Sequence, residues 1–114
     1  MEVTEPERQF VESARLHGLY TIEGDARATN TAYDKTVTAL RALRSRSDRG
    51  QRFLLHCLTD SNPSVVTAAA FYLLPDREAE AVEALKRVAQ GKDLIAFGAE
   101  MVLKEWREGR LKIE

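Results

Sequence analysis

The chain has 114 residues, 44% of them hydrophobic and 31% charged, with a net charge of −1. That is one domain of ordinary globular composition, and its near-neutral balance argues against a general nucleic-acid binder and against an acidic mimic of nucleic acid. No apolar run approaches the roughly 20 residues that span a bilayer, the acidic start Met1-Glu2-Val3-Thr4-Glu5 lacks the apolar core of a signal peptide, and a lone Cys57 cannot close an internal disulfide, so a reducing cytoplasm is the expected setting.

No segment alternates cleanly and β-branched residues are scattered, so the pattern predicts six helices and no strands. The first starts near Glu5, with Thr4 and Glu7 spaced as a capping box and Pro6 in the first turn. Phe10, Ala14 and His17 share one line, beside Val11. A stop at Gly18 would strand Leu19, Tyr20 and Ile22 in a loop, so the longer helix ending at Gly24 is preferred. Asp25 caps a second helix over 26–46. Its expected stripe is Tyr33, Val37 and Leu40, extended by Ala32, Ala39 and Leu43. Ser47 or Asp48 opens a short third helix over 49–59, with Phe53, Leu54, Leu55 and Leu58 as its apolar set.

The fourth helix has both ends written into the sequence. Asn62 caps it and Pro63 suits the first helical position. Pro75 ends it and biases Leu74 away from helical angles. Val65, Ala69, Tyr72 and Leu73 form its inner face, and alanines at 68, 69 and 70 admit a close neighbour. Asp76 is the expected cap of a fifth helix over 77–90, with Ala81, Val82, Leu85, Val88 and Ala89 inward and Gly91 as terminator. Asp93 caps a sixth over 94–108, with Ile95, Ala99, Val102, Leu103 and Trp106 inward. Gly109 ends it, and Arg110–Glu114 reads as a tail.

The helices repeat. A shift of 30 places Leu55 on Leu85, Leu58 on Val88, Val65 on Ile95, Ala69 on Ala99, Tyr72 on Val102 and Leu73 on Leu103. A shift of 32 sets Tyr33 on Val65, Val37 on Ala69 and Leu40 on Tyr72. Two helices per unit of about 30 residues predict an all-α, short solenoid of three helix pairs.

Four segments carry a closer resemblance. They are Phe10-Val11-Glu12; Gly24-Asp25 with Asn30 and Tyr33-Asp34; Asn62-Pro63-Ser64-Val65 with Ala69-Ala70; and Phe97-Gly98-Ala99-Glu100-Met101-Val102-Leu103-Lys104-Glu105-Trp106. Together they resemble a small bacterial HEAT-like domain family of uncharacterised function, over almost the whole chain. The shared motifs are caps and core positions. Some relatives of that kind stand beside secreted toxins, so the resemblance implies a non-enzymatic protein-binding module, in its sharper form an immunity protein that inhibits a toxin domain. Val66 and Thr67 stand where an Arg often follows in such repeats, so an Asp–Arg ladder between units is not expected.

Chemistry is sparsely signalled. His56 and Cys57 are neighbours and diverge by about 100° on a helix, and a Cys–His pair would need His17 to reach Cys57 with an orienting group. A metal site, a catalytic site and a cofactor are therefore not expected. The six glycines are isolated, which leaves no phosphate loop; Gly98, inside the sixth helix, is expected to mark close packing. Glu105 and Glu108 share a helix face with Lys104 and Arg107 alongside, the pattern of a solvated surface.

Two surfaces remain. Arg41, Arg44, Arg46, Arg49 and Arg52 face a single Asp48 over residues 41–52. They read either as solvated charge near a helix C-terminus or as a grip on phosphates, which would make nucleic acid the alternative partner. In stacked repeats the second helix of each pair lines the binding side. That points to Asn30, Asp34, Thr67, Phe71, Glu100, Lys104 and Arg107, with Phe71 as an aromatic anchor or else a packed core residue.

Overall fold

The computed structural model describes residues 4–113; Met1, Glu2 and Val3 of the acidic start and Glu114 of the expected tail lie outside them. The described residues form six helices and no strand: α1 (Glu5–Glu23), α2 (Ala26–Arg44), α3 (Gln51–Cys57), α4 (Pro63–Leu73), α5 (Glu78–Ala89) and α6 (Leu94–Arg107). None of them is long and apolar enough to cross a membrane. The chain divides into two units, Met1–Phe53 and Leu54–Glu114, with the boundary inside α3.

In the first unit α1 packs along α2. Glu7 Oε1 accepts the Thr4 N–H at 3.3 Å, the returning half of the capping box. The helix runs through a buried Gly18 and ends at Gly24, whose φ of 76° is left-handed. Asp25 then accepts the Ala28 N–H at 3.0 Å and starts α2. Phe10, Ala14, Leu40 and Leu43 are buried between the helices, and the Phe53 ring meets Phe10 edge-on at 6.2 Å.

The stripe of α2 departs from the expected one. Tyr33 is 51% exposed, whereas Ala32, Thr36, Ala39, Leu40 and Leu43 are buried, with Val37 at the margin. Five of the six expected stripe residues are thus buried; Tyr33 alone turns outward, and Thr36 joins the inner face. A buried threonine is tolerable only if its hydroxyl is paired. Thr36 Oγ1 donates to Ser13 Oγ at 2.8 Å, and Ser13 Oγ donates to the Gln9 carbonyl at 2.6 Å. The polar pair sits inside the hairpin with each hydroxyl satisfied.

α2 stops two residues short of the expected end, and the chain turns through Arg49 and Gly50, at φ 58° and 75°. Asp48 holds that turn: its carboxylate accepts the Gly50 N–H at 2.8 Å and the Arg52 N–H at 3.1 Å.

In the second unit α4 packs on α5 and α6, and α5 packs on α6. Asn62 accepts the Ser64 N–H at 2.8 Å and Pro63 opens α4. Val65, Ala69, Tyr72 and Leu73 are all buried, together with Val66, Ala70 and Leu74. Two local expectations fail. Leu74 keeps helical angles (φ −52°, ψ −45°) despite the following proline, and Arg77, not Asp76, stands in the cap position of α5. Both follow from one turn, in which the Leu73 carbonyl accepts from Asp76 and Arg77. That turn fixes Asp76 before the helix can start. On α5 the buried residues are Ala81, Ala84 and Leu85; Val82, Val88 and Ala89 are half-buried. Asp93 accepts the Ala96 N–H at 2.9 Å and opens α6. Gly109, at φ 71°, follows its end.

Candidate protein-interaction surface

α6 carries apolar side chains on two opposite sides. Ala96, Ala99 and Leu103 are buried, with Ile95, Val102 and Trp106 half-buried beside them. Trp106 Nε1 donates to Glu78 Oε2 at 2.6 Å, tying the end of α6 to the start of α5. On the other side stand Leu94, Phe97 and Met101, 53%, 59% and 36% exposed. At about 100° per residue their spacing of i, i+3 and i+7 keeps them within an arc of about 60°. Single exposed apolar residues are ordinary, whereas these three stand in line on one helix and form an apolar patch. Full burial of such a side chain is worth roughly 1.5–3 kcal/mol, so covering the exposed remainder of all three returns about 3 kcal/mol.

Gly98 adjoins this stripe. A Cβ built on it meets nothing within 4 Å, so it does not mark close packing inside the chain. The space over Gly98 is open.

Glu100, Lys104 and Arg107 lie along the flank of the stripe, at i, i+4 and i+7, and all three are exposed. Among the described residues Lys104 and Arg107 form no ion pair. Arg110, by contrast, donates to Glu105 from Nε at 2.8 Å and from Nη2 at 3.0 Å, and pairs with Glu108. That guanidinium holds the Glu105 carboxyl below its usual range. Lys104 and Arg107 are therefore the cations left available on the helix's outer side.

The other expected partner-binding residues sit elsewhere. Thr67 is half-buried on α4 and its hydroxyl donates to the Pro63 carbonyl at 2.7 Å. Phe71 is half-buried, its ring edge-on to Tyr72 at 5.0 Å. Asn30 and Asp34 are exposed on α2, in the first unit. The sequence pattern assigns none of Leu94, Phe97 and Met101 to a binding face. Their signal was present, since Phe97 lies across the helix from Ala99 and Leu103, but periodicity alone assigns one apolar face per helix.

No protein-family model, curated protein or solved structure matches this chain.

The arginine run is not one free surface. Arg46 Nη1 donates to Glu7 Oε2 at 2.6 Å and Nη2 to Thr4 Oγ1 at 2.8 Å. Its guanidinium, with the Thr4 N–H, holds the Glu7 carboxyl below the usual carboxylate range despite partial burial. Arg46 thus clasps the start of α1 to the chain leaving α2. Arg41, Arg49 and Arg52 are exposed and Arg44 is half-buried.

A groove of about 570 Å³ runs along the first unit between α1 and α2. One rim carries Glu5 and Glu12, the other Arg27 and Lys35, and Ser13 and Ala32 lie on the floor. The Ser13 hydroxyl is committed to the Gln9 carbonyl and to Thr36, so it is not a poised nucleophile. His56 is exposed while its neighbour Cys57 is buried, and His17 is half-buried with its ring 6.3 Å from that of Tyr33. Among the described residues no three His, Cys, Asp or Glu side chains gather as a metal ion would require.

Proposed function

We propose that this protein is a non-enzymatic protein-binding module that meets its partner through the outer side of α6. One observation carries the reading: Leu94, Phe97 and Met101 stand in line in solvent, opposite the buried face of the same helix. An apolar centre flanked by Glu100, Lys104 and Arg107 has the make-up of a protein contact, with aromatic and aliphatic anchors inside a polar rim. The helices follow a HEAT-like plan of stacked pairs. Its support is the 30-residue shift, which relates Ala69 to Ala99 and Leu73 to Leu103, all four of them buried. Inhibition of a toxin domain is the narrower form of this reading and rests on the family resemblance alone.

A photo-crosslinking phenylalanine analogue placed at Met101, with the exposed Arg15 of α1 as control, tests the reading in living cells. The expected result is a discrete protein adduct from position 101 and none from position 15. Equal labelling, or no adduct from either, overturns it.

A further inference from the structure

We infer that the groove between α1 and α2 receives an amphipathic helix of another protein, basic along the edge that meets α1 and acidic along the edge that meets α2. All of the groove's lining residues belong to the first unit, and nothing in it depends on the outer side of α6.

The groove is held open by bonds between its walls. Gln9 Nε2 donates to the Lys35 carbonyl at 3.1 Å, from one helix to the other, and the Ser13 and Thr36 hydroxyls meet at 2.8 Å. The floor is made of small side chains, with Ser13 and Ala32 buried and Ala28 half-buried. Leu16 and Tyr20 add half-buried apolar surface on the α1 wall. From Gln9 to Tyr20 the lining follows about 16 Å of α1, roughly three turns. A third helix laid on two packed ones suits such a floor, because interaxial distances of about 8–10 Å leave little room for large side chains between them.

The polar groups select the kind of segment. Along the middle of both walls the backbone groups are spent within α1 and α2, and among the described residues no buried side-chain nitrogen or oxygen lacks a partner. An extended chain would lie there with its inward amides unpaired, at a cost. A helix satisfies its own backbone and asks of the groove only apolar contact and charge.

Charge sets the two edges. The helices run antiparallel, with Ser13 meeting Thr36 and His17 beside Tyr33. Glu12 and Lys35 each stand one residue before the Ser13–Thr36 contact in their own helices. They therefore face each other across the groove, about 3 Å apart along its length. Both are exposed, and neither forms an ion pair among the described residues. Arg27 adds a second cation without an ion pair to the α2 wall, whereas Glu5 on the α1 wall is committed to Arg8. A helix with cations along one edge and anions along the other answers both walls. A helix of one sign along both edges is repelled by one of them.

Three synthetic helical peptides of about 18 residues test this. They share a face of Leu and Ala and carry Lys on one edge and Glu on the other, Lys on both edges, or Glu on both. Fluorescence anisotropy against the full chain at low ionic strength should show the mixed peptide binding at least about tenfold more tightly than either of the others. Glu12→Lys makes both walls basic and should turn the peptide with Glu on both edges into the tightest binder. Thr31→Trp, at an exposed lining position, should weaken all three by obstructing the groove. Both substitutions lie at exposed helix positions, and unchanged far-UV circular dichroism separates lost docking from lost fold. Equal affinity for the three peptides, no binding of the mixed one at about 1 mM protein, or a ranking unmoved by Glu12→Lys overturns the inference. If the chain alone gains mass with concentration in sedimentation equilibrium and Thr31→Trp removes the gain, the occupant is a second copy and the inference is likewise overturned. The crosslink from position 101 is read independently, so the groove and the outer side of α6 can fail separately.

Discussion

Gly50→Ala should unfold the protein far more readily than Gly24→Ala, although both glycines share one backbone conformation. Gly50 has φ 75° and Gly24 has φ 76°. Forcing an L side chain into that region costs roughly 1–2 kcal/mol at either site. The surroundings then separate them. A Cβ on Gly24 meets nothing within 4 Å, but one on Gly50 lies 3.0 Å from Leu43 Cβ, 3.1 Å from the Leu43 carbonyl oxygen and 3.2 Å from its carbonyl carbon. Two of those atoms are backbone at the end of α2, and the Leu43 side chain is fully buried, so the neighbour has nowhere to yield. Overpacking of that kind adds about 1–3 kcal/mol. At about 4 °C per kcal/mol for a chain of this size, Gly24→Ala should lower Tm by about 4–8 °C and Gly50→Ala by about 8–20 °C. Scanning calorimetry of the two variants decides it. A Gly50→Ala protein that melts at or above the temperature of Gly24→Ala would refute the close approach of Gly50 to Leu43.

The Glu7 carboxyl is held below its usual range, chiefly by the hydrogen bond from Arg46, so the stability it contributes is full above the unfolded-state value and disappears as pH falls through the lower folded-state one. Glu7→Gln should therefore cost about 1 kcal/mol at pH 7 and progressively less as pH drops below about 4.5, measured by urea titration; a penalty that does not change with pH contradicts the clasp. Ser13→Ala leaves Thr36 free to turn to the Ala32 carbonyl, 3.0 Å away, so it should cost only about 1 kcal/mol, whereas Ser13→Leu should cost 2 or more by overpacking; equal penalties would refute the paired-hydroxyl account. Burial lowers the His17 pKa, so its imidazole should titrate by NMR below 6.5 and its protonation should destabilise the fold only as pH falls beneath that value; a midpoint above 6.5 is inconsistent with the half-buried ring.

Most helix starts were readable because a cap is a local object. Thr4, Asp25, Asn62 and Asp93 each precede a helix where the pattern of polar side chain and apolar run puts them. Asp76 misled for a related reason. It has the chemistry of a cap, but the Leu73 carbonyl captures the amides of the turn first, and that competition involves a neighbour's backbone rather than a residue type. The burial of Thr36 on α2 was hidden because it depends on Ser13, 23 positions away in sequence, offering a partner to a buried hydroxyl. The candidate surface was half legible. Glu100, Lys104 and Arg107 emerge from polarity and spacing, whereas Leu94, Phe97 and Met101 read as ordinary helix residues. A helix apolar on two sides gives periodicity no means of choosing which side faces solvent.

Met101 offers the most direct measurement. Met1 is the chain's other methionine, so a protein labelled at its methionine methyls gives a spectrum simple enough to assign. Methyl relaxation caused by a soluble paramagnetic agent should be strong for Met101, which is exposed on α6. A Met101 methyl that is shielded even at high dilution would place the stripe inside the chain's own fold and contradict the reading of that face as a contact surface.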